Sequence, residues 1–454
     1  MIHARSARLP FFQIDLPLML SIALILLLGI AGGASRADMI AQVIVRAGCW
    51  VILIAAILGG PRPTRSTLHA IKPVLFLLAA TIALPLIQLV PLPPSWWQAL
   101  PGRQILVVPG QPLPWRPWTM TPGATRNALS SLIVPVTILV LMLQASERTY
   151  RRIPAILLAM AGTAVVIGLL QFSGAGFDNP LFNDTPGVVS SIFANRNHFA
   201  LFLSIGCLIA PVWALMDRKA LRWRGPLAAG LVILFVLTAL ATGSRAGILL
   251  AGISLVLTLL LVGRQLQRQL SGGPRWLLPA LVIAAILVIG GFVALSLVAD
   301  RADAIKRLMA LNPEEDMRTR ARPIVVSMIH LYLPFGSGFG GFDPVFRIHE
   351  PFALLKMTYF NQAHNDYLGI ALDGGIPGLI VLASGILWWL IVSIRIWWAK
   401  MDDGMMLGRL GSGIVLLILA ASLADYPVRT PTIMAIVTIA AVWMARANAG
   451  RFTA

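Results

Sequence analysis

Only two cysteines occur in 454 residues, Cys49 and Cys207. Both fall inside long apolar stretches, where neither a disulfide framework nor a cysteine-based metal site has the spacing it needs. They are expected to be packing residues. Charge is nearly as scarce: Asp, Glu, Lys and Arg make up 12% of the chain against 58% hydrophobic residues. That is too little polar surface to coat a water-soluble body around so much apolar material, and a soluble enzyme is excluded. Acidic residues are the rarest charges, 18 against 36 Lys and Arg. The basic residues are nonetheless dispersed over short loops rather than gathered on one face, so nucleic acid is not an expected partner. Carboxylates and His or Cys ligands do not cluster either, and no metal or other cofactor is expected.

What the sequence does contain is lipid-spanning material. A mean hydropathy of +0.83 goes with repeated apolar stretches of about 17 to 25 residues, the length that crosses a bilayer as a helix. They fall at 16–34, 40–60, 73–92, 127–145, 153–172, 199–216, 226–243, 246–263, 277–298, 376–398, 410–425 and 431–446. The expected fold is an all-α integral membrane protein of about twelve transmembrane helices. The first stretch follows MIHARSARLPFF with no small-residue cleavage site close behind, so it is expected to be a retained anchor rather than a removed signal peptide.

Loop charges orient the bundle. With the N-terminus in the cytoplasm, more than half of the 36 basic residues lie on that side, opposed by Asp15, Glu147, Asp217, Asp402 and Asp403. The net charge of +18 is then mostly a topology signal. The opposite side receives two longer loops, 93–126 and 299–364. The first, with Trp96, Trp97, Trp115 and Trp118, is expected to rest at headgroup depth as a membrane collar. The second is too long for a simple connector and is expected to carry one or two short helices that form a lid.

Polar residues that look like chemistry collect on that same side. In SIFANRNHFALFLSIG, Asn195 or Asn197 could serve as a helix cap, but capping does not explain Arg196, since a cation there opposes the helix dipole. In LATGSRAGILLAG the turn leaves Arg245 almost no loop to retreat into, and ionisable residues at membrane depth are functional by default. In DMRTRARPIVVSMIHLYLPFGSGFGGF, Arg318, Arg320 and Arg322 cannot all share one helix face, and Pro323 biases Arg322 away from helical geometry. PFGSGFGGF supplies backbone freedom near a ligand or between helices. FNQAHNDYLGIALDGG sets His364, Asn365 and Asp366 side by side before an apolar helix, followed by Asp373. Finally, ADYPVRTPTIMA places Asp425 and Arg429 around a proline turn, where a local ion pair and a site role are both open.

These motifs together resemble the O-antigen ligase-related membrane glycosyltransferases, a family that includes lipopolysaccharide O-antigen ligases and the related O-antigen and exopolysaccharide polymerases. SIFANRNHFA, TGSRAG, the arginine run ending in PFGSGFGGF, AHNDYLGIALDGGIPG and DYPVRTP occur in the family's order over about 190–430, with Asp373 where many members carry Glu. The resemblance divides the chain into N-terminal transmembrane helices at 1–172, an O-antigen ligase-related region at 173–446 that contains the periplasmic loop 299–364, and a cytoplasmic tail at 447–454. It implies a bacterial inner-membrane enzyme whose active site faces the periplasm. The implied donor is a glycan on undecaprenyl diphosphate, and the acceptor a sugar hydroxyl on lipid A core or on a growing lipid-linked glycan. His364 would be the general base of a metal-independent, inverting transfer. Arg245 with Arg320 or Arg322 would meet the charge that develops on the departing diphosphate, with Arg196 and Arg429 secondary. Asn195, Asn197, Asn365, Asp366 and Asp425 complete the expected site. A transporter or flippase would place charges near the midplane and show two similar halves, and a scaffold would not need arginines concentrated around one histidine. Neither fits the one-sided clustering here. Ligase and polymerase share this donor, and the sequence does not separate them.

Overall fold

The structure is a computed structural model that describes residues 15–174, 179–181, 188–217, 219–269, 283, 291, 317–355 and 360–450. Among the described residues nine helices are long and apolar enough to cross a membrane. Two shorter apolar helices, Leu16–Ala31 and Lys72–Gln88, accompany them. The first eight and the last three of the expected spans each fall on one of these helices. Of the ninth, 277–298, only residues 283 and 291 are described, and the first part of loop 299–364 lies outside the described residues. The expected 127–145 span is longer, Pro122–Gln144, and is divided at Leu132 into Pro122–Ser131 and Ile133–Gln144.

Short polar side chains start the helices. Asp15, Ser146, Asn365 and Asp402 each accept a bond from a backbone N–H in the first turn that they cap, which removes one of the unsatisfied donors at a helix start. Arg46, the charge inside the 40–60 stretch, donates to the side chain of Asn127 rather than facing lipid alone.

Burial separates the centre of the bundle from its rim. Helix Arg196–Leu215 is 89% buried, Pro431–Asn448 78% and Asp403–Ala421 72%, whereas Leu221–Ala241 is 28% and Asp366–Trp398 17% buried. A helix that is apolar all round belongs in a core or in lipid. The first three are core here, and the rim helices present faces such as Leu249, Val256, Leu260, Ile380 and Leu387 outward.

Loop 93–126 is folded onto the bundle, which its composition did not show. A two-stranded ribbon pairs Pro91 with Pro117 and Leu92 with Arg116, and Trp97 is buried with its indole N–H donating to the Pro117 carbonyl (2.9 Å). Trp96 and Trp115 stay exposed, as a membrane collar would require. Arg103, fully buried, donates to the carbonyls of Pro101, Trp118 and Gly336. Burial pulls its guanidinium down to about 10, partly countered by Tyr332.

In the second loop, helices Met317–Tyr332 and Phe342–His349 supply the expected short helices. Contrary to expectation, the first runs unbroken through Pro323 and includes Arg318, Arg320 and Arg322. The proline gives up one backbone bond. The face of Ala321, Val325, Met328 and Tyr332 remains buried against Phe342, Phe346 and Leu354, and this packing holds the helix together.

The PFGSGFGG turn is clasped to a break in the long helix Asp366–Trp398. Gly375 is non-helical there (φ 57°), and Pro377 lacks an N–H, so the carbonyls of Leu372 and Asp373 lose their helical partners. The turn replaces them: Ser337 N donates to Leu372 O (2.8 Å), Gly338 N to Asp373 O (3.0 Å), and Ile376 N in return to Pro334 O (2.9 Å). A Cβ on Gly375 would meet Pro334 O at 2.3 Å, so the approach itself requires glycine.

Candidate active site

The starts of helices Arg196–Leu215, Arg245–Gln269, Asp366–Trp398 and Pro431–Asn448 meet at one end of the bundle, and Asp425 lies at their centre. It sits in the turn between Asp403–Ala421 and Pro431–Asn448 and is 2% exposed. Its Oδ2 accepts from the side-chain amides of Asn195 (2.9 Å) and Asn197 (2.6 Å). Oδ1 accepts from the Tyr426 backbone N–H (3.1 Å) and faces Nδ1 of His364 at 3.1 Å. Arg318 approaches Oδ2 to 3.8 Å while donating to the Ala424 carbonyl (3.0 Å). Burial would raise the Asp425 carboxyl, but the hydrogen bond from His364 and the nearby His198 and Arg318 hold it well below the usual carboxylate range. A buried carboxylate is tolerable only with this many partners.

Asn195 and Asn197 therefore do more than cap. Asn195 Oδ1 accepts from the Asn197 backbone N–H (2.8 Å), which is the cap, while its amide group reaches Asp425. Asn197 Oδ1 accepts from the Ser244 hydroxyl (2.7 Å), and Ser244 accepts from Gly247 N–H (2.9 Å), capping the next helix. The TGSRAG and ANRNH motifs are thus tied to each other and to DYPVRTP. His198 is buried nearby, with Nδ1 paired to Thr430 Oγ1 (3.0 Å) and its ring edge-on to Tyr426 (5.3 Å).

His364 holds a left-handed backbone (φ 48°), a conformation uncommon for residues other than glycine. Its ring lies between Phe360 (5.2 Å) and Tyr426 (5.0 Å), and its side chain is 16% exposed. An ionised carboxylate can only accept, so Nδ1 of the imidazole carries a proton toward Asp425, and Nε2 is the nitrogen left to face a substrate. Asn365 caps the long helix through Leu368 N–H (3.0 Å) and donates to Leu423 O (2.9 Å). Asp366 accepts from the Ser422 hydroxyl (3.0 Å). The group that orients the imidazole is Asp425 rather than Asn365 or Asp366.

Arg429 does not pair with Asp425. The 3-10 turn Pro427–Arg429 sends it toward the long helix, where it meets Asp373 (3.3 Å) and Asp366 (3.9 Å). Asp373 is fully buried and also accepts from Gly340 N–H (3.2 Å), so this carboxylate joins the PFGSGFGG turn to Arg429.

The remaining arginines divide. Arg318, which the sequence reading passed over in favour of Arg320 or Arg322, is the one beside Asp425. Arg320 donates to Ala353 O (3.0 Å), away from the carboxylate. Arg322 and Arg245 are exposed, and among the described residues neither has a hydrogen-bond or ion-pair partner. Arg196 is half-buried at the first position of its helix. The arrangement offers a fixed imidazole whose Nδ1 is held by Asp425, with the Arg318 guanidinium on the same carboxylate.

Residues 229–383 match the sequence model of a family described as O-antigen ligase. The match contains Arg245, Arg318, Arg320, Arg322, His364, Asp366 and Asp373, whereas Asn195, Asn197, Asp425 and Arg429 lie outside it. It bears out the resemblance carried by the motifs and supports a membrane glycosyltransferase of O-antigen ligase or polymerase type. No curated protein matches the chain.

Proposed function

We propose that the chain, whose residues 229–383 match the model of a family described as O-antigen ligase, transfers a glycan from an undecaprenyl-diphosphate carrier to a sugar hydroxyl. The acceptor hydroxyl belongs to lipid A core or to another lipid-linked glycan, and the transfer takes place at the periplasmic face of the inner membrane. The observation that carries this proposal is the contact of His364 Nδ1 with Asp425 Oδ1 at 3.1 Å, with Asp425 itself fixed by Asn195 and Asn197. A base whose partner is held this firmly is pre-set in tautomer and direction.

Nε2 of His364 takes the proton of the acceptor hydroxyl as its oxygen attacks the anomeric carbon. The bond from that carbon to the diphosphate oxygen breaks, and the electron pair leaves with the diphosphate. Attack opposite the leaving group inverts the anomeric centre. Charge grows on the diphosphate in the transition state, where guanidinium groups already in place stabilise it without reorganisation. Arg245 and Arg322 suit this role because no carboxylate among the described residues competes for them, and Arg196 and Arg320 stand close in sequence to the same motifs. Segment 317–355 would act as the lid that excludes water. The chemistry calls for no metal.

The test is reconstitution of purified protein in liposomes with a polyprenyl-diphosphate glycan and a glycolipid acceptor, with and without EDTA. Product with the inverted linkage in both conditions is expected. Failure to transfer from the diphosphate carrier would overturn the donor assignment, and loss of activity in EDTA would overturn the metal-free chemistry.

A further inference from the structure

Beneath Arg429 the bundle forms a half-open chamber of about 470 Å3 that the chemistry above leaves unused. Its walls come from helices Lys72–Gln88, Pro122–Ser131, Ile133–Gln144, Asp366–Trp398, Asp403–Ala421 and Pro431–Asn448. Along the long helix the lining includes Asp366, Tyr367 and Ile370 before the break at Gly375 and Leu382 and Trp388 after it. A volume of that size has room for a single hydrocarbon chain. The hydroxyls of Thr81, Ser131 and Thr438 in its wall are spent on carbonyls of their own helices. Among the described residues that line it, the only charged ones, Asp366 and Arg429, stand together at one end.

We propose that this chamber seats a hydrocarbon chain of the lipid that bears the acceptor glycan, with the lipid's hydroxyl-rich head emerging beside His364. The inference rests on His364 being the base that meets the acceptor. Charge at the mouth decides which lipid enters. Arg429 already faces the carboxylates of Asp373 at 3.3 Å and Asp366 at 3.9 Å, so the mouth has no surplus positive charge to offer a diphosphate. The guanidinium groups that do have surplus, those of Arg245 and Arg322, are not among the lining residues. The mouth instead presents carboxylate, guanidinium and Ser422 hydroxyl groups, which suit sugar hydroxyls. Asp366, a lining residue at the mouth, is two residues from His364 at the start of the same helix. A chain gains little by leaving lipid for an equally apolar protein wall, so the chamber sets the depth and direction of the acceptor rather than supplying its affinity.

The experiment uses the full-length protein in liposomes and three photoreactive lipids, each with a diazirine near a chain end: a diacyl glycolipid with an uncharged oligosaccharide head, a polyprenyl-diphosphate glycan, and phosphatidylethanolamine. After irradiation, the glycolipid probe is expected to label chamber residues around Trp388 and Ala441 well above the phospholipid. Labelling there by the polyprenyl probe, or equally by phosphatidylethanolamine, overturns the proposal. In parallel, Ala441→Trp, which fills the chamber, should lower kcat with the glycolipid acceptor about tenfold or more, the usual discrimination from a misfitting group, with donor KM unchanged. Unchanged kcat, or a rise in donor KM instead, contradicts it. The labelling needs no turnover, so its outcome stands even if His364 proves not to be the base.

Discussion

Replacing Asp425 with asparagine changes one atom and should disable the enzyme without unfolding it. The carboxylate accepts from Asn195, Asn197, the Tyr426 N–H and His364. An amide of the same shape has one oxygen to accept with, and its NH2 must face either the two asparagine amides or His364. Asn195 and Asn197 cannot turn to help, because their own oxygens are held by Asn197 N–H and the Ser244 hydroxyl. If the NH2 faces His364, the imidazole must move its proton to Nε2, and the base is lost. If it faces the asparagines, donors oppose donors and the turn shifts. An orienting carboxylate of this kind is worth roughly two to four orders of magnitude in rate, or about 3–5 kcal/mol of barrier. Turnover should therefore fall about 100- to 10,000-fold in Asp425→Asn, while membrane level and acceptor KM stay near wild type. The assay is initial-rate transfer from purified polyprenyl-diphosphate donor, with thermal unfolding measured alongside. Turnover within a few-fold of wild type in a normally folded variant would refute the dyad.

Two further outcomes follow from the arginines and the loop charges. Arg245→Ala should abolish transfer at near-normal protein level, and Arg245→Lys should recover little, because a point charge cannot reproduce a bidentate clasp on phosphate; full activity in the alanine variant would make Arg245 a snorkelling anchor. Reporters fused near residues 110 and 335 should be active only outside the cytoplasm, and those near 220 and 270 only inside; a cytoplasmic signal at 335 would separate the site from its donor.

The helices were legible because each span is a long apolar run, and such runs need no partner to be recognised. His364 was legible for a similar reason: a titratable residue at the mouth of an apolar helix stands out against its surroundings. The partner of His364 was not, since Asp425 lies 61 residues away, and Arg429 nearby in sequence offered a simpler pairing. Only the fold shows that the proline turn points the two side chains in opposite directions. Arg318, Arg320 and Arg322 are equivalent as letters. Which of them reaches Asp425 depends on the face that Ala321, Val325 and Met328 bury, and Pro323 obscured the helix that defines that face. Loop 93–126 misled in part because its tryptophans suggest an interface, while the contacts that dock it run through backbone carbonyls reached by Arg103, which composition cannot reveal.

The most direct test of the central claim is turnover by His364→Ala in liposomes containing the polyprenyl-diphosphate donor, measured together with donor binding. The base assignment predicts a loss of roughly two to four orders of magnitude in turnover, with donor binding retained because the arginines remain. Wild-type turnover by the His364→Ala protein would contradict it.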